Sequence, residues 1–405
     1  MRVLILARSC LLGLLLSVLG SAAAAPADLG LFVGEVLAGN PAVRAAEAQL
    51  DAARARSRAA GRPLFNPELQ VDAETAETDS AFIGLSQTID WTDKRSARSH
   101  VAGFEEEAGL AELAAVRLAT AAELLRALAA HQSAGDLEGL ANRRVEIMDR
   151  FAALAKRRRE AGDLNRVELD LAQLAAAQAR LQQAQAAAAR AEARSALDAV
   201  LGAWSGPLPA LATDLPALDM SPARIDERLA KLPELRVQRS RTAAREATTR
   251  LRTRETRPDP TLALRGGVEA SDPLVGVTLS IPLFVRNDFR AEVDAATADA
   301  VAGRARGDDL ARRARARMQA TARRYQLMRE AWLHWEATGR ESLESQVSLL
   351  QRLWQAGEME TTDYLVQVSQ TLDTRASAYE MRGEFWRAWL DWLEASGQLF
   401  EWLGQ

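Results

Sequence analysis

Three histidines, His100, His131 and His334, are the first residues to test for metal or acid–base chemistry, and they stand 31 and 203 positions apart. No Cys/His cluster has the spacing of a ligand set. Gly84 and Ser86 start a Gly-x-Ser pattern, but the second glycine of a nucleophile elbow is missing and the run reads as a strand. There is no phosphate-binding glycine loop and no HExxH. His100, near Asp93, lacks the further partners of a catalytic constellation and reads as a helix-surface residue. The expectation is a protein that is not an enzyme, with no cofactor and no metal site.

The chemistry that remains is that of a wetted wall. Two stretches, "GLSQTIDW" and "GVTLSIPLF", alternate apolar with polar residues, and two shorter ones precede them. Side chains of a strand alternate between faces. One face carries Gln70, Asp72 and Glu74, then Ser86, Thr88 and Asp90, then Arg265, then Thr278 and Ser280. The other carries Leu69, Val71 and Ala73, Ile83, Leu85, Ile89 and Trp91 (with Gln87 the exception), Leu262 and Leu264, and Val277, Leu279, Ile281 and Leu283. The strands are expected at 68–74, 82–91, 261–268 and 274–284. A polar turn, "TAETDS" or "EASDP", joins each pair.

Such strands fit either a half-exposed sheet in a soluble protein or a membrane barrel with lipid outside and water inside. Export favours the barrel. The first 24 residues carry Arg2, Arg8, an apolar stretch and small residues, the signature of a secretory signal peptide, with cleavage expected at Ala23 or Ala24. The only cysteine, Cys10, precedes that apolar stretch, so neither a disulfide nor a lipid anchor is expected in the mature chain. Loss of the two arginines takes the formal charge from −4 to −6, which does not suit nucleic acid. No mature apolar run is long enough for a transmembrane helix, so membrane entry requires strands. Strands of roughly 9–11 residues suffice when tilted, and Trp91 and Phe284 sit near strand ends, where interfacial aromatics belong. Four strands cannot close a barrel, and an open edge in lipid leaves backbone groups unpaired. Several chains must therefore contribute.

The elements that hold these strands occur twice. Pro41 and Pro233 lie 192 positions apart, Pro67 and Pro260 193, Gly84 and Gly276 192, and Gly162 and Gly357 195. The division is a signal segment 1–24, a first repeat 25–205, a Pro-rich connector 206–222 and a second repeat 223–405. Each repeat reads helix, two strands, long helix, glycine turn, helix. The first helix is expected to run unbroken from about Asp28 to Ala60, and Thr92 or Asp93, and Asn287 or Asp288, are expected to cap the long helices. Those arms, proline-free as far as Gly162 and Gly357, would reach about 100 Å. Gly162 and Gly357 suit the left-handed cap that lets a helix fold back. Apolar spacings of three, four and seven make a coiled-coil seam. It runs through Leu140, Ile147, Phe151 and Leu154, through Leu164, Val167, Leu171, Leu174 and Leu181, and through Val347, Leu350, Trp354, Leu365, Val368 and Leu372. The fold class is mainly α with a small β part: antiparallel coiled-coil helices plus four transmembrane strands per chain.

The order of these elements, with "NPEL", "LSQTIDWTDKRSAR", "AGDLNRVEL" and "AGEMETTDYL", resembles the TolC-type outer membrane efflux family over nearly the whole mature chain. The resemblance implies a homotrimer whose twelve strands form a barrel in the outer membrane and whose helices form a tube through the periplasm. An equatorial belt would hold the connector and the segment with Trp386, Trp389 and Trp392, read as packing residues. It implies that the turns, with Gly162, Asp163, Leu164, Gly357, Glu358 and Met359, meet a periplasmic adaptor (membrane fusion protein) linked to an inner-membrane RND-type pump. It places gate acids at Asp363 and Glu168. A second acidic position falls on apolar Val366 and argues against a double ring. Within the family, "SQTIDWTDKRSAR" is similar to the heavy-metal, CzcC-like branch. The expected function is a passive exit duct for heavy-metal cations. The alternatives are drugs or secreted products as cargo, or a periplasmic coiled-coil adaptor or scaffold; a single-chain porin would need far more strands.

Overall fold

A computed structural model describes residues 27–75, 79–202, 204–212, 214–218 and 221–404. The signal segment and the centre of the "TAETDS" turn lie outside the described residues. The chain opens with α1 (Ala27–Gly39) and α2 (Pro41–Ala60) rather than one helix. The break falls at Asn40, whose side chain accepts from the N–H groups of Ala42 and Val43 at 2.9 and 3.4 Å. Pro41 follows at the first helical position, where its missing N–H is not needed. The second repeat breaks likewise, between α5 (Pro222–Lys231) and α6 (Pro233–Glu255).

β1 (Glu68–Thr75), β2 (Asp79–Thr88), β3 (Thr261–Glu269) and β4 (Asp272–Ser280) form one antiparallel sheet in that order. β2 and β4 stop earlier than the sequence suggested. Trp91 is off the strand, and its Nε1 donates to the Pro258 carbonyl at 2.7 Å. Asp90 does not continue the polar face either. Its carboxylate accepts from the N–H groups of Lys94 and Arg95, both at 2.7 Å, and so caps α3 (Lys94–Ala161). Asp93 makes no side-chain cap; it takes the left-handed conformation, φ 58°. In the second repeat Asn287 and Asp288 accept from Phe289 and Arg290 N–H at 3.0 and 3.2 Å, but neither is the N-cap; Phe289 takes that place, left-handed and without a side-chain cap bond.

α3 is an unbroken 68-residue helix, about 100 Å long. It turns at Gly162 into α4 (Arg166–Leu201). The matching arm of the second repeat is not continuous: α7 (Arg290–Thr338) gives way at Gly339 to α8 (Arg340–Gln355). α9 (Thr361–Ser396) and α10 (Leu399–Trp402) complete the chain. Near the sheet, α2 packs on α3, α3 on α6, and α6 on α7; towards the turns, α4 packs on α3, α3 on α9, and α9 on α7 and α8.

The main core is the belt. Trp386, Trp389 and Trp392 are buried there with Phe385, Tyr325 and Leu215 of the connector. Tyr325 donates to the Pro216 carbonyl at 2.6 Å, and Gln132 Nε2 to that of Pro209 at 2.8 Å. α1 also enters this core through Leu29, Phe32 and Val33.

A second core near the turns buries Leu140, Phe151, Leu164, Leu350, Trp354, Val368 and Leu372 of the expected seam. Five of its members do not join. Val347 is half-buried outside it, Val167, Leu171, Leu174 and Leu181 are exposed, and α4 meets its neighbours through buried Ala172, Ala176 and Ala179 instead. Small residues let the backbones approach closely, and the leucines are turned outward.

Candidate channel wall and tip

The strand register sorts the wall residues without exception. Gln70 lies opposite Gly84, Glu68 opposite Ser86, Thr88 opposite Thr261, Gly84 opposite Arg265, and Arg265 opposite Gly276. Ala263 faces Thr278, and Thr261 faces Ser280. Gln70, Asp72, Glu74, Ser86, Thr88, Arg265, Thr278 and Ser280 therefore share one face. The opposite face is Leu69, Val71, Ile83, Leu85, Leu262, Leu264, Val275, Val277 and Leu279, and it is open. Val71 is 70% exposed, Val275 87% and Val277 68%. Among the described residues no helix packs on it.

Arg265 is the one cation of the four strands, whose polar face also carries Glu68, Asp72, Glu74, Glu269 and Asp272. Its guanidinium lies 5.4 Å from the centre of the Phe82 ring, within range of a cation–π contact. A β-carbon on Gly276 would come within 3.0 Å of Arg265 Nε. Bare backbone there lets the arginine lie along the wall.

Below the sheet the two repeats are locked together. Lys94 is buried; its Nζ lies 2.9 Å from Asp259 and donates to the Arg257 carbonyl at 2.7 Å. Removing one partner of such a pair leaves an uncompensated charge and costs about 3–5 kcal/mol.

Both turns are built alike. Gly162 and Gly357 have φ of 90° and 79°. Asp163 N–H donates to Arg158 O at 2.8 Å and Glu358 N–H to Leu353 O at 3.0 Å, closing each helix end with the same pair of backbone bonds. Asp163 and Glu358 are exposed, while Leu164 is buried and Met359 half-buried beneath them. Phe151, Trp354 and Tyr364 stack behind the turns, with ring centres 4.6 to 5.2 Å apart. Burial there pushes the Tyr364 hydroxyl up to about 12. Arg158 reaches over Trp354 and donates to its carbonyl at 3.3 Å, tying α3 to α8.

The two acids six residues past the glycines differ. Glu168 accepts from Asn165 N–H at 3.0 Å while Asn165 accepts from Glu168 N–H at 2.9 Å, a capping box that occupies its carboxylate. Asp363 is exposed and, among the described residues, has neither a hydrogen-bond nor an ion-pair partner. Higher up, Arg144 of α3 pairs with Asp373 of α9, donates to Ser369 O at 3.4 Å and bonds Gln182 of α4. The sequence reading missed Arg144, because its partners lie 38 and 229 positions away. Among the described residues there is no cluster able to hold a metal ion.

A family described as "Outer membrane efflux protein" matches residues 32–203, the first of the two repeats. The second repeat has the same order of elements about the same sheet. The first repeat of the chain is thus similar to the outer membrane efflux protein family. Solved channels share its fold over almost its full length. CusC matches at 17% identity over 91% of both chains with a TM-score of 0.75. VceC of Vibrio cholerae matches at 18% identity over 92% of this chain and 96% of its own, TM-score 0.74. CmeC of Campylobacter jejuni matches at 15% over 91% and 85%, TM-score 0.76. A search among curated proteins returned no match. The likeness of this chain to these solved structures is one of fold.

Proposed function

We propose that three copies of this chain form a passive duct through the outer membrane, reached by a cleaved signal peptide, and through the periplasm. The observation that carries the reading is the sheet, whose apolar face is open to solvent in the single chain and whose two edges are unpaired. In lipid each orphaned backbone group costs several kcal/mol, so the edges must be closed by sister strands. Gln70, Asp72, Glu74, Ser86, Thr88, Arg265, Thr278 and Ser280 then face the lumen.

The tip turns at Gly162, Asp163 and Leu164, and at Gly357, Glu358 and Met359, are the surface for a periplasmic adaptor, which joins the duct to an RND-type inner-membrane pump. The pump supplies the energy. Asp363 is the stronger gate candidate, because Glu168 is held in its cap. The cargo we assign is heavy-metal cations. An excess of acids on the lumen face attracts cations, which supports this choice, and recognition is left to the pump.

Cell fractionation followed by an unboiled gel tests the duct. The protein is expected in the outer membrane as a stable oligomer; a soluble periplasmic monomer would refute it. A deletion strain exposed to metals and to drugs tests the cargo. Loss of drug tolerance alone would move the assignment to drugs.

A further inference from the structure

We infer that residues 281–285 extend β4 past its last contact with β3 and pair with β1 of a second copy, the Val285 N–H donating to that copy's Pro67 carbonyl. The inference rests on the oligomeric duct proposed above and specifies how its strands meet.

The chain contains the pattern to be copied. At the foot of the β2–β3 contact, Ile89 N–H donates to the Pro260 carbonyl at 2.9 Å. Ile89 stands four residues before Asp93, the left-handed residue that starts α3. In the second repeat the equivalent left-handed residue is Phe289, also at φ 58°, which starts α7. Four residues before it stands Val285. Pro67 is the repeat counterpart of Pro260. Gly84 precedes Asp93 by nine positions and Gly276 precedes Phe289 by thirteen, so the second repeat holds four extra residues. In the single chain they have no ladder partner. Yet Ile281, Leu283 and Val285 keep the apolar alternation and are 48, 77 and 85% exposed.

Backbone direction agrees. Ile89 donating to Pro260, and Ala270 N–H to Asp79 O at 3.1 Å, point the even-numbered groups of β3 at β2. Its odd-numbered groups, from Thr261, therefore point at β4, where Thr261 meets Ser280. Even residues of β4 face β3 and odd residues face the open edge, because both polar groups of a strand residue point the same way. Pro282 is even, so its missing donor lies where β3 has already ended. Pro273 is odd and removes a donor from the open edge near the turn. On β1, by the same count, the odd residues and the Pro67 carbonyl face outward.

Setting Val285 on Pro67 places Leu283 beside Leu69 and Ile281 beside Val71, and leaves Pro273 unpaired. The polar face matches too, with Ser280 beside Asp72. Crossing the sheet from Glu68 by way of Ser86, Ala263 and Thr278 then leads to Glu74 of the next copy. An advance of about six residues per copy tilts the strands of a twelve-strand barrel by ~45°. The rival register, Ile281 on Pro67, advances about two residues per copy and gives ~20°, well below the usual 35–45°; the intermediate one, Leu283 on Pro67, advances about four and gives ~35°, at the low edge of that range.

Cysteine pairs decide between them, in a chain whose only natural cysteine is Cys10. Ser280→Cys with Asp72→Cys forms a close pair across the seam in the inferred register; Ser280→Cys with Glu68→Cys does so in the rival one. Oxidation in outer membranes is expected to give covalent trimers from the first pair and at least tenfold less from the second. Preference for the Glu68 pair, or intact trimers that neither pair links, overturns the inference while leaving the duct. Absence of any oligomer from the parent protein overturns both. Val285→Pro is expected to lower the temperature at which the unboiled oligomer dissociates. Phe284→Pro, whose N–H faces away from the seam, is expected to lower it less; equal effects would count against the seam.

Discussion

Gly267 has no space for a β-carbon. One placed there would run into the Ala81 carbonyl oxygen and lie 2.6 Å from the Phe82 ring. Gly267→Ala must therefore push β2 and β3 apart, at about 1–3 kcal/mol, and is expected to reduce the fraction of protein recovered as heat-stable oligomer. Equal recovery would contradict so close an approach of the two backbones. Asp90 is a second case. Its carboxylate holds two N–H groups of α3, and Asp90→Ala should cost about 1 kcal/mol in a denaturant titration, whereas Asp93→Ala should cost less. From sequence alone Asp90 reads as the next polar residue of an alternating strand and Asp93 as the cap. The chain leaves the ladder after Thr88, and Asp93 adopts the left-handed conformation, which takes its side chain off the helix end. Propensity could not decide between two aspartates three residues apart; the path of the backbone does.

At the scale of elements, the turns test the tip. Gly357 and Gly162 sit at positive φ, where a side chain costs about 1–2 kcal/mol. Gly357→Pro, which also removes the N–H that closes α8, is expected to abolish export while trimers persist. Normal export would remove the tip from the account. The duplicated grammar made these turns readable, since one glycine supports the other. The α7–α8 break at Gly339 was not readable, because nothing in the first repeat matches it. The α4 leucines misled for a different reason. Spacing identifies an apolar stripe but not its partner, and the alanines that lie between those leucines, Ala172, Ala176 and Ala179, give the closer approach within the chain. Arg144 joins α3, α4 and α9 through contacts that no local pattern announces. Arg144→Ala is expected to loosen the hairpins and raise passive leak of a small solute through the duct. An unchanged leak would make the contact merely structural.

For the whole molecule, the four strands have an apolar face that the chain itself leaves uncovered and a polar face of matched register. That much was legible, because a period of two fixes the faces once the strands are located. Where the strands end, and how edge meets edge, depended on the three-dimensional path. The most direct measurement is side-chain environment along β1 and β4 in outer membranes. Single cysteines are placed at 69, 71, 275 and 277 and at 70, 72, 276 and 278, each carrying a fluorescent probe. Odd-numbered probes should be quenched by a lipid-soluble quencher and spared by a water-soluble one, with the even-numbered probes behaving oppositely. Quenching without that alternation, or with the two sets exchanged, would contradict the assignment of lipid to one face and water to the other.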